Sequence, residues 1–563
     1  MFQRRAGFLV TAAFLAAVLA AGLLYDDLSA RNGGGSYENV RLLTQVVEQV
    51  REKYVDALSE DELYQRAIRG LVESLDPYSE FLTRDQYDDL KVHTTGNYQG
   101  LGISIDIRDD ILTVVAPIEG TPAYSAGVHP GDKIVQVDGE STEGWNSEQA
   151  VNELRGPAGS KVVLTVVREG VSEALTFTIV RQAIEIPSVP YFYILKDGIG
   201  YIRFTQFSEK SAREVQSAVE QLRKQGMRSL VLDVRSNPGG LLDQAIDVSD
   251  LFLERGELIV STRGRVEEQN RKYYAHDDVN YGTFPIAVLV NEGTASASEI
   301  LAGALQDHDR ALILGRTTFG KGLVQSLFPL ESGQAALKLT TARYYTPSGR
   351  NIQKEEKGHA VFDVIDEEDV APVVEAAKQG GGVPDSLVFR TESGRTVFGG
   401  GGITPDLLVS DTLSTIGRKL VQELNARSLY FDYGVHYRAS HASLARDYLP
   451  GPEDIADFKS FIRDHGVYYA DEEFAAESEF ITNALRFVLI EQYYGQGVAR
   501  KQVMEGDKAL AEAVELLEGA DTLKDVFRLA DARGKEMQAA VSPEQAAGEA
   551  AAAGPGSAAG QPR

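Results

Sequence analysis

Ser296 and Lys321 have the residue types and local settings for acyl-transfer chemistry, and both lie in the stretch Pro285 to Gln325 (PIAVLVNEGTASASEILAGALQDHDRALILGRTTFGKGLVQ). The apolar run Ile286 to Val290 reads as a buried strand and Asn291-Glu292-Gly293 as a turn. Ala297 to Gln306 reads as a helix with Ile300, Leu301, Ala304 and Leu305 on its inner face. Ser296 therefore falls where strand gives way to helix. There its hydroxyl would lie beside unpaired N–H groups and the positive end of the helix dipole, a setting that stabilises a tetrahedral oxyanion. The N–H of Ala297 is the natural donor. A plainer role competes, because Ser296-Ala-Ser-Glu299 also matches a helix capping box, and on its own that is the commoner explanation. Lys321 shifts the balance. It follows the apolar segment Ala311 to Leu314 and sits in Gly320-Lys321-Gly322, whose small neighbours admit a backbone or substrate in a way an exposed lysine does not need. Gln325, four residues on in the strand predicted over Leu323 to Phe328, shares a face with Lys321 and is placed to orient its amine.

A lysine base must be neutral, and bringing an ordinary lysine from about 10.4 to near 7.5 takes roughly 4 kcal/mol of differential destabilisation of the charged form, which burial supplies. Such an amine serves as base toward serine and then as acid toward the leaving amine. His308 is the nearest histidine in sequence, but mostly helical spacing puts it about 15 to 18 Å from Ser296, so it reads as a solvated helix-end residue. Gly315-Arg-Thr-Thr-Phe-Gly320-Lys321 fits the glycine and lysine spacing of a phosphate-binding loop. Gly322, however, replaces the hydroxyl that would hold magnesium, and a strand follows where that motif needs a helix.

Together with Leu230 to Leu242 (LVLDVRSNPGGLL), Lys338 to Gln353 (KLTTARYYTPSGRNIQ) and Gly399 to Asp406 (GGGGITPD), this stretch resembles the C-terminal processing proteases, or tail-specific proteases. The resemblance covers roughly residues 38 to 410. It implies Ser296 as nucleophile, Lys321 as base, Gln325 as the residue orienting it, and Asp307 in a supporting role. It also implies backbone oxyanion donors from Ala297 and from the turn Asn237-Pro-Gly-Gly240, with Gly239 and Gly240 both open as the second donor. Glycines after a proline expose N–H groups in any case, although an ordinary strand-to-helix turn would carry the same residues. Thr294 and Ser236 depart from the family's common residues without removing a reacting group. Upstream, Tyr98-Gln-Gly-Leu-Gly-Ile-Ser104 and Gly127 to Gly139 look like a PDZ domain. In such domains the loop here formed by Leu101, Gly102 and Ile103 takes a terminal carboxylate while the peptide adds as a strand. A purely architectural PDZ-like fold is the alternative, and Arg168 reads either as an occupancy sensor or as a solvated arginine.

These readings predict a multidomain α/β chain, with a sheet built from strands such as Gly198 to Phe204, Ser229 to Val234, Leu258 to Ser261 and Ile286 to Val290. The expected order is a signal peptide or membrane anchor over 1–25 and a tether over 26–36. A helical segment follows over 37–92, a PDZ domain over 93–182, and a peptidase core over 183–410 with an insertion at 354–395. A helical C-terminal domain over 411–540 and a disordered tail over 541–563 complete it. With 43% hydrophobic residues the chain can bury several cores. Its 56 basic against 83 acidic residues, a net charge of −27, argue against a nucleic-acid surface. Zero cysteines exclude disulfides and thiolate chemistry. No cofactor or metal is called for. Arg4 and Arg5 before the apolar stretch Ala6 to Tyr25 place the body outside the cytoplasmic membrane, anchored or released by cleavage.

The expected function is a cell-envelope endopeptidase that captures tails of unfolded or flexible proteins and cleaves them by acyl-enzyme chemistry. A catalytically silent PDZ scaffold, or a relative carrying apolar ligands, is the alternative; a maturation protease with one partner would share all the chemistry. The resemblance implies a dimer assembled through the N-terminal helical segment, and an adaptor or activator protein is a possible partner.

Overall fold

The computed structural model describes residues 37–552, apart from 277–280, 282–283, 331–334, 355–384, 410–412 and 415. The expected leader (1–25), the tether (26–36), most of the 354–395 insertion and the last residues of the tail lie outside the described residues. Among the described residues no helix is long and apolar enough to cross a membrane. The chain divides into two compact units, Met1–Tyr87 with Gln325–Thr340, and Asp88–Val324 with Thr341–Arg563.

In the first unit residues 37–53 are helical. A second helix, Glu60–Glu73, begins where the Ser59 side chain accepts from the Glu62 N–H and three acidic residues fill the first turn. The apolar spacing of this segment is realised as helix, but its stripe is largely uncovered: Val47 and Leu63 are buried while Val40, Leu43, Leu71 and Leu75 are exposed. The strand Glu80–Thr83 pairs antiparallel with residues 335–338.

The second unit contains two sheets that bear on function. One is antiparallel, with Ile103–Arg108, Ile111–Pro117, Lys133–Val137, Lys161–Val167 and Leu175–Val180 in spatial order. Alternation fixes its buried face, as in Val162, Leu164 and Val166. The other orders Tyr191–Ile194, Ile199–Arg203, Ser229–Asp233, Ile286–Val290, Leu312–Gly315 and Leu407–Leu408, parallel beyond its first strand. Ile286–Val290 is buried throughout because both faces of this sheet are covered. Ile286, Val288 and Val290 pack with residues of the helices Ser211–Lys224, Leu242–Asp250 and Ala297–Asp307. Ala287 and Leu289 pack instead with Leu510, Ala513, Leu517 and Val526.

That second face corrects the expectation of one added C-terminal domain. The helix Lys508–Glu518 and residues 523–537 of the last helix form a layer of the α/β sheet itself, whereas residues from Leu420 to Ala499 hold a separate core around Tyr433, Phe458, Ile481 and Leu485. A second correction concerns Leu258 to Ser261, expected in the α/β sheet. It belongs to a strand, Leu258–Gly264, that pairs antiparallel with Arg271–Tyr274 and with residues 342–345; a short apolar run fits either sheet equally well. The last helix continues to Ala552, into the stretch expected as tail from 541, where alanine favours helix.

Candidate active site

Two adjacent parallel strands, Ser229–Asp233 and Ile286–Val290, deliver their following loops to the same edge of the sheet, where open α/β sheets place their sites. Asn291 ties these loops together: its Oδ1 accepts from the N–H of Ser236 at 2.6 Å and of Gly293 at 3.2 Å. The chain then enters the buried helix Ala297–Asp307 through Ser296, held at φ 56° and ψ −113°. For a residue with a β-carbon this conformation costs on the order of 1–3 kcal/mol, and the surroundings must hold it.

Only half of the capping box forms. The Glu299 carboxylate accepts from the Ser296 N–H at 2.8 Å, but the Ser296 hydroxyl makes no cap hydrogen bond, and the Glu299 N–H goes to the Ser296 carbonyl at 2.9 Å. The hydroxyl is thus not spent on capping. The N–H of Ala297, the first helical residue, is one of the donors that an α-helix leaves without an intrahelical partner.

Glu299 has a larger role than a cap. It is fully buried, and the oxygen that takes the Ser296 N–H also takes the Lys321 N–H at 2.9 Å. Its other oxygen accepts from the Gly320 N–H at 2.8 Å and the Thr318 hydroxyl at 2.6 Å. Burial pushes this carboxyl up, against the opposing pull of those hydrogen bonds. Tyr344 acts on the carbonyl side, its buried hydroxyl lying 3.1 Å from the Ser296 carbonyl and in hydrogen-bond contact with that of Lys321. Serine and lysine backbones are therefore joined at both their N–H and C=O groups. The glycines flanking Lys321 are required: a β-carbon on Gly320 would stand 2.9 Å from the Lys354 Cβ, and one on Gly322 would stand 2.8 Å from the Asn351 Oδ1.

The turn Asn237 to Gly240 comes to the same place. The Asn237 carbonyl accepts from the Ala295 N–H and the Ser298 hydroxyl, each at 3.0 Å. A β-carbon on Gly239 would lie 2.8 Å from the Ala297 N and 2.9 Å from the Ser296 Cβ, so only glycine fits against the serine. The Gly239 N–H donates to Asn237 Oδ1 at 2.9 Å. Gly240 packs instead on Phe207, whose carbonyl oxygen a β-carbon would meet at 2.1 Å.

Asp307 ends the helix that Ser296 begins, about 16 Å away by helical rise. It pairs with the buried Arg350 at 2.5 Å and accepts from the Ser348 N–H at 2.9 Å. His308 follows at the helix end but is largely covered rather than solvated, its Nε2 2.8 Å from the Leu258 carbonyl. Its ring stands with Glu257 and Glu392, a group of metal-type ligands at the far end of the helix from Ser296. Gln325 belongs to the first unit, where its side-chain amide donates to the Tyr78 carbonyl at 2.6 Å. In the antiparallel domain Leu101 is buried and Gly102 has φ +79°. The loop is pinned by its carbonyls, that of Leu101 accepting from the Ala123 N–H at 3.0 Å and that of Gly102 from the Ile118 N–H at 2.8 Å. Burial pushes the Tyr98 phenol up. Arg168 is paired rather than solvated, with both oxygens of the buried Asp132 at 2.7 and 2.8 Å.

Ser296, Lys321 and the glycine turn, expected from the sequence, are brought together by these backbone contacts. Glu299 was visible only as the capping partner, and nothing in the spacing marks Tyr344.

Residues 198–360 match the family model for peptidase family S41, and residues 113–168 match that for the PDZ domain. The chain is 42% identical over 355 residues to a carboxy-terminal-processing protease of Bartonella bacilliformis, covering 62% of this chain and 80% of that one. It is 36% identical over 329 residues to the carboxy-terminal processing protease CtpA of Bacillus subtilis, covering 58% and 68%. Among solved structures, it is similar to a photosystem II D1 C-terminal processing protease, with 33% identity, coverage of 55% and 89%, and a TM-score of 0.33. The chain belongs to the carboxy-terminal processing proteases of peptidase family S41, serine-type peptidases, and carries a PDZ domain.

Proposed function

We propose that this chain is an endopeptidase of the cell envelope that takes the free C-terminal tails of unfolded or flexible proteins through its PDZ domain and cleaves them through an acyl-enzyme on Ser296. The observation that carries the reading is the double tie of Glu299 and Tyr344, which holds a strained serine, its hydroxyl unspent on capping, beside the Lys321 backbone. The neutral Lys321 amine takes the hydroxyl proton as the Ser296 oxygen bonds to the scissile carbonyl carbon. It then gives that proton to the departing amine as the C–N bond breaks. Water attacks the ester carbon, Lys321 takes its proton, and the proton returns to Ser296 as the C–O bond breaks. The Ala297 N–H stabilises the tetrahedral oxygen, with a second donor from the turn: Gly239 lies against the serine but gives its N–H to Asn237 Oδ1, so Gly239 and Gly240 both stay open as that donor.

Family membership supports giving Gln325 the orienting role. Asp307 supports the site from a distance by holding Arg350 and the Ser348 backbone. Leu101, Gly102 and Ile103 supply the loop for the tail carboxylate. The basic and apolar N-terminal sequence supports export, and the exposed stripe of Val40, Leu43, Leu71 and Leu75 supports self-association.

The test is cleavage of an unfolded protein with an apolar C-terminus, set beside the Ser296→Ala variant and an amidated-tail substrate. Cleavage should require Ser296 and fall sharply on amidation. Equal cleavage of free and amidated tails would remove the tail-reading claim, and tail binding without any cleavage would favour a scaffold.

A further inference from the structure

Arg235 stands between the strand Ser229–Asp233 and the turn Asn237 to Gly240, and its guanidinium is held by carboxylates on two sides. Asp233 takes its Nε at 3.0 Å and Nη2 at 2.6 Å. Asp507 takes its Nη1 at 2.9 Å and Nη2 at 2.7 Å. Asp233 is itself buried and also receives the Tyr201 hydroxyl at 2.7 Å and Arg203 at 3.2 Å. Asp507 lies 272 residues from Arg235 in sequence, directly before the helix Lys508–Glu518 that covers the second face of the sheet.

We propose that Asp507 is a positioning residue for the oxyanion turn: through this carboxylate the C-terminal layer fixes Arg235 and, with it, the turn that places Gly239 against Ser296. The proposal rests on the oxyanion reading given above. A planar guanidinium gripped by a bidentate carboxylate on each side has its direction fixed as well as its charge satisfied. With Asp507 neutral, Arg235 keeps Asp233 but loses the second restraint, and the backbone leading into the turn is less firmly set. Catalysis is sensitive to such shifts, since a misplacement of about 1 Å can cost on the order of 10²-fold.

Asp507 also caps its own helix, accepting from the Leu510 N–H at 3.0 Å, and this second duty shapes the experiment. Asparagine caps about as well as aspartate, so Asp507→Asn removes the charge and keeps the cap, whereas Asp507→Ala removes both. Arg235 and Asp507 line a cavity of about 690 Å³, so the asparagine can be hydrated and the variant can fold.

The measurement is kcat and KM on a tail substrate, per Ser296 site titrated, with the affinity of a peptide boronate that forms a tetrahedral adduct on that serine. Asp507→Asn should lower kcat by roughly tenfold, less than the ~10² to 10³ lost with a whole oxyanion donor. KM should hold, boronate affinity should weaken by a similar factor, and Asp507→Glu should restore much of the loss. Wild-type kcat and boronate affinity in Asp507→Asn would overturn the proposal, as would a loss seen only in the fraction of titratable sites. A wild-type chain that neither cleaves nor binds boronate would overturn the peptidase reading beneath it, and the proposal with it.

Discussion

Ser296 is a serine in a conformation serines avoid, and the groups holding it there also hold Lys321. Glu299 collects four donors, from Ser296, Thr318, Gly320 and Lys321. A glutamine there would offer one acceptor oxygen and turn an NH2 group toward N–H donors. Glu299→Gln should therefore lower the free energy of unfolding in urea by about 2–3 kcal/mol, and kcat should fall at least tenfold at temperatures where the variant stays folded. A variant as stable and active as the parent would remove Glu299 from the site. Lys321→Ala should bring turnover close to that of Ser296→Ala while tail binding, followed by fluorescence anisotropy, stays within about twofold; near-normal cleavage would end the lysine-base assignment.

At the scale of elements, the strand and helix on either side of Ser296 were legible because their signals are local: an apolar run, a turn and helical spacing. The φ of Ser296 was not, since it comes from the Asn237 turn and from Glu299 rather than from neighbours in sequence. The fully apolar strand Ile286–Val290 announced that both its faces are covered, but what covers the second face lies more than two hundred residues away. The same distance hid Asp507, one acidic residue among 83. A further long-range contact joins the PDZ domain to the helix Leu429–Ser440, where the Arg438 guanidinium stands 3.4 Å from His129 Nε2. Burial first, then the charges of Arg438 and Arg168, push His129 down to about 4. The unfolded value is near 6.5, so between the two the folded chain binds fewer protons than the unfolded one, and stability falls as pH drops through that window. Discounted for partial exposure this amounts to about 1 kcal/mol. The thermal midpoint should drop by about 1 °C from pH 7 to pH 5 on this account, and His129→Gln should flatten the slope; an unchanged slope would contradict it.

At the scale of the whole molecule, the C-terminal region contacts both the PDZ domain and the peptidase sheet of the second unit. Its helix Leu429–Ser440 meets the PDZ domain through Arg108 with Asp432 at 3.3 Å and Glu169 with His436 at 2.8 Å, while its last helices back the peptidase sheet. Deleting it should expose the sheet and abolish folding of the core rather than trim an accessory. The first unit offers the opposite case, an apolar stripe exposed on two helices. Leu43→Glu with Leu71→Glu should convert a self-associating chain to monomer in sedimentation, and an unchanged distribution would leave that stripe without a partner role.

The most direct test of Ser296 as nucleophile is mass spectrometry of the chain quenched during turnover of a tail peptide ester. An acyl adduct mapped to the peptide containing Ser296, absent in Ser296→Ala, is the expected result. Turnover that proceeds with no adduct, or undiminished in Ser296→Ala, would contradict it.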